Sequence, residues 1–223
     1  MPELGDNRIG KILTRYYQAG LGGKENFDRL ESLNMLGKIK TESGELLLSV
    51  WHKKPEYIKM ELTHEKTQSR VTLAFDGKVA WKQEGKRAEP TPMTKSEARR
   101  FIHSSRFGNY LLYPFAQGKR IRLIDTVPVE GSICHQIRVE LDTEYQVDYF
   151  IDIQTSLEVK VVNKDLRTGS VNSMVYRDYT RDYGVPIARK VESKEEGKWV
   201  STLILEEIKL NTGIMPWMFH MPE

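Results

Sequence analysis

A chain of 223 residues is long enough for one large β domain or two small ones, and at that size about 70% of the unfolded surface can be buried without a disulfide or metal staple. A net charge of +3 is too mild to imply a nucleic-acid partner, and no apolar run approaches the ~20 residues that a membrane helix needs. Cys134 is the only cysteine, so no disulfide forms within the chain, and both a reducing cytosol and an exported protein without disulfides stay open.

The opening MPELGDNRIG does not have the layout of a secretory leader, so an exported product would carry its leader upstream of this sequence. Asp6 is the expected N-cap of a helix to about residue 19, with Ile9, Ile12, Leu13, Tyr16 and Tyr17 on one face. The run GLGG at 20–23 ends it. No strand precedes that run and no GK[ST] follows, so it terminates a helix and does not cradle a phosphate. A short second helix at 25–30 offers Phe27 and Leu30.

From Leu33 the apolar period changes to two. Strands are expected at 33–42, 45–53 and 57–64, with Ile58, Met60 and Leu62 sharing one face. Residues 71–83 read as a hairpin turning at Asp76-Gly77. A three-residue loop, 75–77, would pair Leu73 with Val79 and Val71 with Trp81, giving one continuous apolar face with Trp81 as its largest anchor. Connections this short force antiparallel neighbours, a meander.

The excursion over 84–118 breaks the pattern. Thr94 and Glu97 form a capping box for a helix over 95–105, with Phe101 and Ile102 inward. The aromatic segment 107–118 reads as core packing over the sheet. Between Lys82 and Arg122 ten Lys/Arg face three Asp/Glu, a net of +7, which leaves −4 for the rest of the chain. Such a run is ordinarily a solvated face. Its functional reading is a surface, with Arg99, Arg100 and Arg106, that makes transient contact with anionic membrane groups.

After residue 119 strands are expected near 120–127, 133–141, 145–152, 157–166, 170–183, 187–193 and 199–210, several separated by Gly-containing turns. Ile137 and Val139 belong to one apolar face. Asp148 and Asp152 share a strand face and read as solvent-side acids. The tail MPWMFHMPE is expected to fold back over an apolar rim. The whole is mainly β: about eleven or twelve strands in one curled antiparallel sheet, rolled around an apolar interior with a few helices as a lid across its mouth. It reads as a single domain, with helices at 6–31, meanders at 33–83 and 119–211, and a tail at 212–223.

No HExxH, paired CxxC, GxSxG or dinucleotide fingerprint is present, and the five histidines are scattered. Cys134 and His135 are adjacent on a strand and point to opposite faces, so they form no nucleophile–base pair. The expectation is a protein that is not an enzyme and uses no cofactor or metal.

The ordered set of motifs resembles the LolA/LolB-like outer-membrane lipoprotein-sorting superfamily. It comprises Gly22-Gly23 after a helix, Leu36-Gly37-Lys38, Lys54-Pro55 before Tyr57-Ile58-Lys59, FDGKVAW at 75–81, YFIDIQTSL at 149–157, YRDYTRDYGVPIA at 176–188, and Asn211 with Phe219-His220-Met221-Pro222. The resemblance implies a half-open antiparallel β-barrel with a helical lid, exported to the periplasm, whose apolar cavity takes up acyl chains. Two functional readings follow. The first is a lipid- or lipoprotein-binding protein whose cavity is lined by Leu48, Val50, Ile58, Met60, Leu62, Leu73, Val79, Trp81, Ile137 and Val139. The second is an envelope protein-interaction or stress-sensor module that receives a polypeptide on the curved sheet or its edge.

Overall fold

The structure is a computed structural model that describes residues 5–111 and 119–222. It is mainly β. In chain order, helix α1 (Arg8–Arg15) continues into a π-helical segment (Tyr16–Gly20) and helix α2 (Gly23–Arg29). Strands β1 (Ser32–Thr41), β2 (Gly44–Lys53), β3 (Tyr57–His64), β4 (Arg70–Phe75), β5 (Ala80–Glu84) and β6 (Thr91–Pro92) precede helix α3 (Lys95–Ser104). Then come β7 (Arg120–Val129), β8 (Ser132–Glu140), β9 (Tyr145–Asp152), β10 (Glu158–Asp165), β11 (Val171–Asp182), β12 (Val185–Glu195), β13 (Lys198–Leu210) and a 3₁₀ turn (Pro216–Phe219).

Among the described residues, thirteen strands form one open antiparallel sheet in the order β6-β5-β4-β3-β2-β1-β13-β12-β11-β10-β9-β8-β7. Every strand read from the period-two pattern is present, and the brief β6 is added to them. The part of the aromatic segment over 112–118 lies outside the described residues.

The chain divides into two compact units: Met1–Arg29 with Gly108–Leu203, here unit one, and Leu30–Phe107 with Ile204–Glu223, here unit two. In unit one, Asn7 and not Asp6 caps α1, its side chain accepting the Gly10 N–H at 2.8 Å. Asp6 instead pairs with Lys11 at 3.2 Å in solvent. The apolar face of α1 covers one side of the β8–β10 ladder. Leu13, Tyr16 and Tyr17 pack with Ile137, Val139, Val147, Tyr149, Ile151 and Val161 in a continuous buried cluster. Gly20 ends the π-helical segment where any Cβ would approach the Ser156 carbonyl oxygen to 2.2 Å, so only glycine lets the helix end lie on the β9–β10 turn. Polar groups under this lid are paired. Tyr16 donates its hydroxyl to Glu158, Asn109 bonds both, and Tyr17 donates to the Leu111 carbonyl at 2.6 Å.

Asp148 differs from its expected place in solvent. It is only 7% exposed and accepts two hydrogen bonds from Arg138 on the neighbouring strand, both at 2.7 Å, with a third from Gln136 at 3.1 Å. A carboxylate held by a bidentate guanidinium is stable where an isolated one is not. Asp152 turns its carboxylate into its own β-turn, accepting the N–H groups of Gln154 and Thr155 at 2.8 and 2.7 Å.

In unit two, the hairpin register differs from the three-residue-loop expectation. Ala74 pairs with Trp81, Phe75 with Ala80 and Leu73 with Lys82, leaving 76–79 as a four-residue loop. The Asp76 side chain accepts the N–H groups of Lys78 and Val79 at 2.9 and 2.7 Å, and this holds Val79 in the turn, 41% exposed. Trp81 therefore lies with Ala74 on the sheet face opposite Leu73. The tail covers that face: Phe219 is fully buried, its ring 5.5 Å from that of Tyr57, and its carbonyl accepts the Trp81 indole N–H at 2.8 Å.

Candidate functional site

Antiparallel pairing decides which side chains of unit two share a surface, because directly opposed residues point the same way. Leu48 lies opposite Leu62, Val50 opposite Met60, and Met35 opposite Val50. One strand further, Leu62 pairs with Val71, Met60 with Leu73, and Ile58 with Phe75. These rows form one face across β1–β4. Six of the ten expected cavity residues are brought together on it: Leu48, Val50, Ile58, Met60, Leu62 and Leu73.

Burial is graded across this face. Leu48, Val50, Ile58 and Phe75 are buried, whereas Met35, Met60, Leu62, Val71 and Leu73 are only half-buried. The surface is therefore a continuous apolar floor with half-open flanks. The opposite face carries Lys59, Glu61 and Arg70, with Glu61 ion-paired to Arg70 and 3.4 Å from Lys59, beside the Ala74–Trp81 pair that the tail covers.

The other four expected residues lie elsewhere. Val79 is in the hairpin turn, and Trp81 is under the C-terminal 3₁₀ turn on the reverse face. Ile137 and Val139 are fully buried in unit one beneath α1. The two units thus treat their apolar faces differently. In unit one the chain's own N-terminal helix fills the face, and in unit two a band of it stays half-open.

Two groups frame the open face. At the β5 end, Lys82 reaches Glu97 on α3 at 2.8 Å and Glu84 at 3.4 Å. Glu97 is also the acid of the α3 capping box, and the Lys82 ammonium followed by the Thr94 bonds holds its carboxyl down at about 2. At the other end is His52, opposite Ile58 and Leu33 and 7% exposed. The Phe107 ring lies edge-on to the imidazole at 4.8 Å. Burial pulls its pKa down to about 4, against a smaller opposing effect of a backbone hydrogen bond at Ser105, so the ring is neutral at physiological pH. Sequence reasoning left this histidine among the scattered ones, although a period-two count from Leu48 and Val50 along β2 puts it on the apolar face.

Of the expected basic surface, Arg99 and Arg100 are on α3, and Arg106 is half-buried and ion-paired with Glu56. Cys134 is fully buried, and burial pushes its thiol up to about 11, which leaves it unreactive. No group of three or more metal-ligating side chains occurs among the described residues. Nor is any described helix long and apolar enough to cross a membrane.

No protein-family model matches the sequence, and no curated protein matches it. Solved structures do match. A LolA superfamily protein from Nitrosomonas europaea is 12% identical and superposes with a TM-score of 0.66, covering 94% of this chain and 96% of that one. A putative outer membrane lipoprotein-sorting protein domain from Vibrio parahaemolyticus is 11% identical with a TM-score of 0.61, covering 94% of each chain. A DUF1329 family protein from Desulfovibrio piger is 7% identical with a TM-score of 0.66, covering 96% of this chain and 98% of that one. Similarity over nearly the whole of both chains at these identities is a likeness of fold. The chain has the fold of the LolA superfamily.

Proposed function

We propose that the half-open apolar face of β1–β4 holds the acyl chains of a lipid or a lipid-modified protein in the bacterial cell envelope, a binding and carrying role without chemistry. The observation that carries this reading is the band of half-buried Met35, Met60, Leu62 and Leu73 around a floor of Leu48, Val50 and Ile58. A soluble chain with a filled alternative available, as in unit one, leaves such a band open when something else occupies it. Burial of hydrocarbon there contributes roughly 0.8 kcal/mol per methylene. Two methionines on the flanks suit chains of varied length and unsaturation, because an unbranched thioether repacks easily. The likeness to a lipoprotein-sorting domain supports the same class of ligand and a periplasmic setting.

Organic extraction of the purified protein followed by mass spectrometry tests the reading, together with displacement of a fluorescent fatty acid by phospholipid. Bound lipid and displacement are expected. A lipid-free extract with no displacement would contradict it.

The alternative, a polypeptide added to a sheet edge, has β6 and β7 to use, and β6 is only two residues long and ends in Pro92; β7 is the longer edge. That strand carries Pro128 and a break in register between Leu123 and Asp125, both of which blunt strand addition. Pull-down from envelope extract separates the two readings: a stable protein partner retained after lipid removal would favour the edge.

A further inference from the structure

A second feature, in unit one, is independent of the apolar face. One stripe of α1 carries Arg8, Lys11 and Arg15, at i, i+3 and i+7, and these line a cleft of about 370 Å³ against the ends of β8 and β9. Its apolar lining comes from the half-buried Ile12 and Ile153, with the buried Ile151 behind them. The Cα atoms of the two arginines are two helical turns apart, about 10 Å along the axis, a span that two long side chains can close onto one phosphate. Among the described residues neither has an acidic partner within ion-pair distance, whereas most other arginines of the sheet do.

The acids nearby are already engaged. Asp6 holds Lys11, and Asp152, which also lines the cleft, directs its carboxylate to the N–H groups and hydroxyl of its own turn; it stays charged, so the three cations of α1 outnumber it in the lining three to one. His135 also lines the cleft, its Nδ1 3.1 Å from the Thr126 hydroxyl. Burial, then the charges of Arg8 and Arg15, depresses its pKa, so the field of both guanidiniums reaches into the cleft and the imidazole adds no cation of its own.

Two guanidiniums with no ion-pair partner among the described residues, beside the apolar side chains of Ile12 and Ile153, fit a ligand that joins a phosphate to hydrocarbon. A free phosphate would satisfy the arginines and leave the isoleucines wet, and a neutral lipid would cover the isoleucines and leave the charges unanswered. We propose that this cleft binds the headgroup of an anionic phospholipid, its phosphate between Arg8 and Arg15 and its first methylenes over Ile12 and Ile153.

The test is isothermal titration of the full chain with dihexanoyl phosphatidylglycerol kept below its micelle concentration. Dihexanoyl phosphatidylcholine and inorganic phosphate are titrated in parallel. Arg8→Gln/Arg15→Gln is compared with the charge-matched control Lys86→Gln/Arg87→Gln on an exposed loop. The expected result is that phosphatidylglycerol binds at least tenfold tighter than the other two ligands. The α1 double variant, with unchanged melting temperature, loses at least tenfold and the control does not. Ile153→Ser weakens the lipid as well. Equal binding by the folded α1 variant, equal binding of phosphatidylcholine, or phosphate alone binding as tightly as the lipid would each overturn the proposal. The readout is separate from the acyl face of unit two, because Met60→Glu is expected to leave the loss at Arg8/Arg15 intact.

Discussion

Trp81 donates its indole N–H to the carbonyl of Phe219 at 2.8 Å, and both side chains are almost wholly removed from solvent. This bond ties the C-terminal turn to the reverse of the hairpin. Trp81→Phe keeps most of the ring but orphans a buried carbonyl, so it should cost about 1–3 kcal/mol. Trp81→Ala should cost about 3–5 kcal/mol through the cavity it leaves. Urea denaturation gives both values. Because Trp81 faces away from the apolar band, the Phe variant should bind a fluorescent fatty acid as the parent does.

The Arg138–Asp148 pair in unit one is a second fixed point. Removing Arg138 leaves a nearly buried carboxylate without its counter-charge, a change that costs about 3–5 kcal/mol when both groups are fully enclosed. The Arg138 side chain is 26% exposed, so Arg138→Ala should fall at the lower end, about 2–4 kcal/mol. Arg138→Met/Asp148→Leu should recover most of that loss, as read from the same denaturation curves.

His52 makes unit two sensitive to acid. Its pKa is about 4 in the folded chain and about 6.5 when unfolded, so below pH 6.5 the unfolded state takes up a proton that the folded state refuses. Stability from this group is complete above pH 6.5 and is lost as pH falls through 4, by about 3 kcal/mol in all. His52→Phe, which cannot titrate, should flatten the stability profile between pH 6.5 and 4. A parent profile already flat over that range would show that the imidazole is solvated.

Asp76 sets the hairpin loop, and its loss should be modest and local. Asp76→Ala removes two hydrogen bonds to exposed backbone N–H groups and should cost about 1 kcal/mol. Hydrogen exchange at Lys78 and Val79 should quicken while exchange at Met60 stays unchanged.

Much of this architecture was legible in the sequence because alternation and Gly-containing turns are local signals. The strands after residue 33, the α3 capping box and the grouping of Ile58, Met60 and Leu62 on one face all follow from them. What was hidden depended on partners distant in sequence or on competing side chains. The 76–79 loop was misjudged because cross-strand apolar matching favoured Trp81 opposite Val71, while the Asp76 carboxylate decides the loop length. Asp148 read as a solvent acid because alternation cannot tell a solvated carboxylate from one facing an arginine ten residues earlier. Ile137 and Val139 have the same pattern as Leu48 and Val50, and nothing local shows that α1 fills one face and leaves the other half-open. Arg8, Lys11 and Arg15 stand at helical spacing, but attention to the apolar face of that helix passed over them. The cleft they form with Ile153, just past the end of β9, depends on a part of the chain far away in sequence.

The most direct test of the acyl-binding face uses the methionine methyl groups as reporters. In protein with ¹³C-labelled methionine methyls, stearate carrying a nitroxide near its chain end is added to saturation, and paramagnetic broadening is read at each methyl. The account predicts strong broadening at Met35 and Met60, which flank the face, and little at the exposed Met215 on the tail. Sharp Met35 and Met60 signals at saturation, or broadening confined to Met215 and Met221, would contradict it.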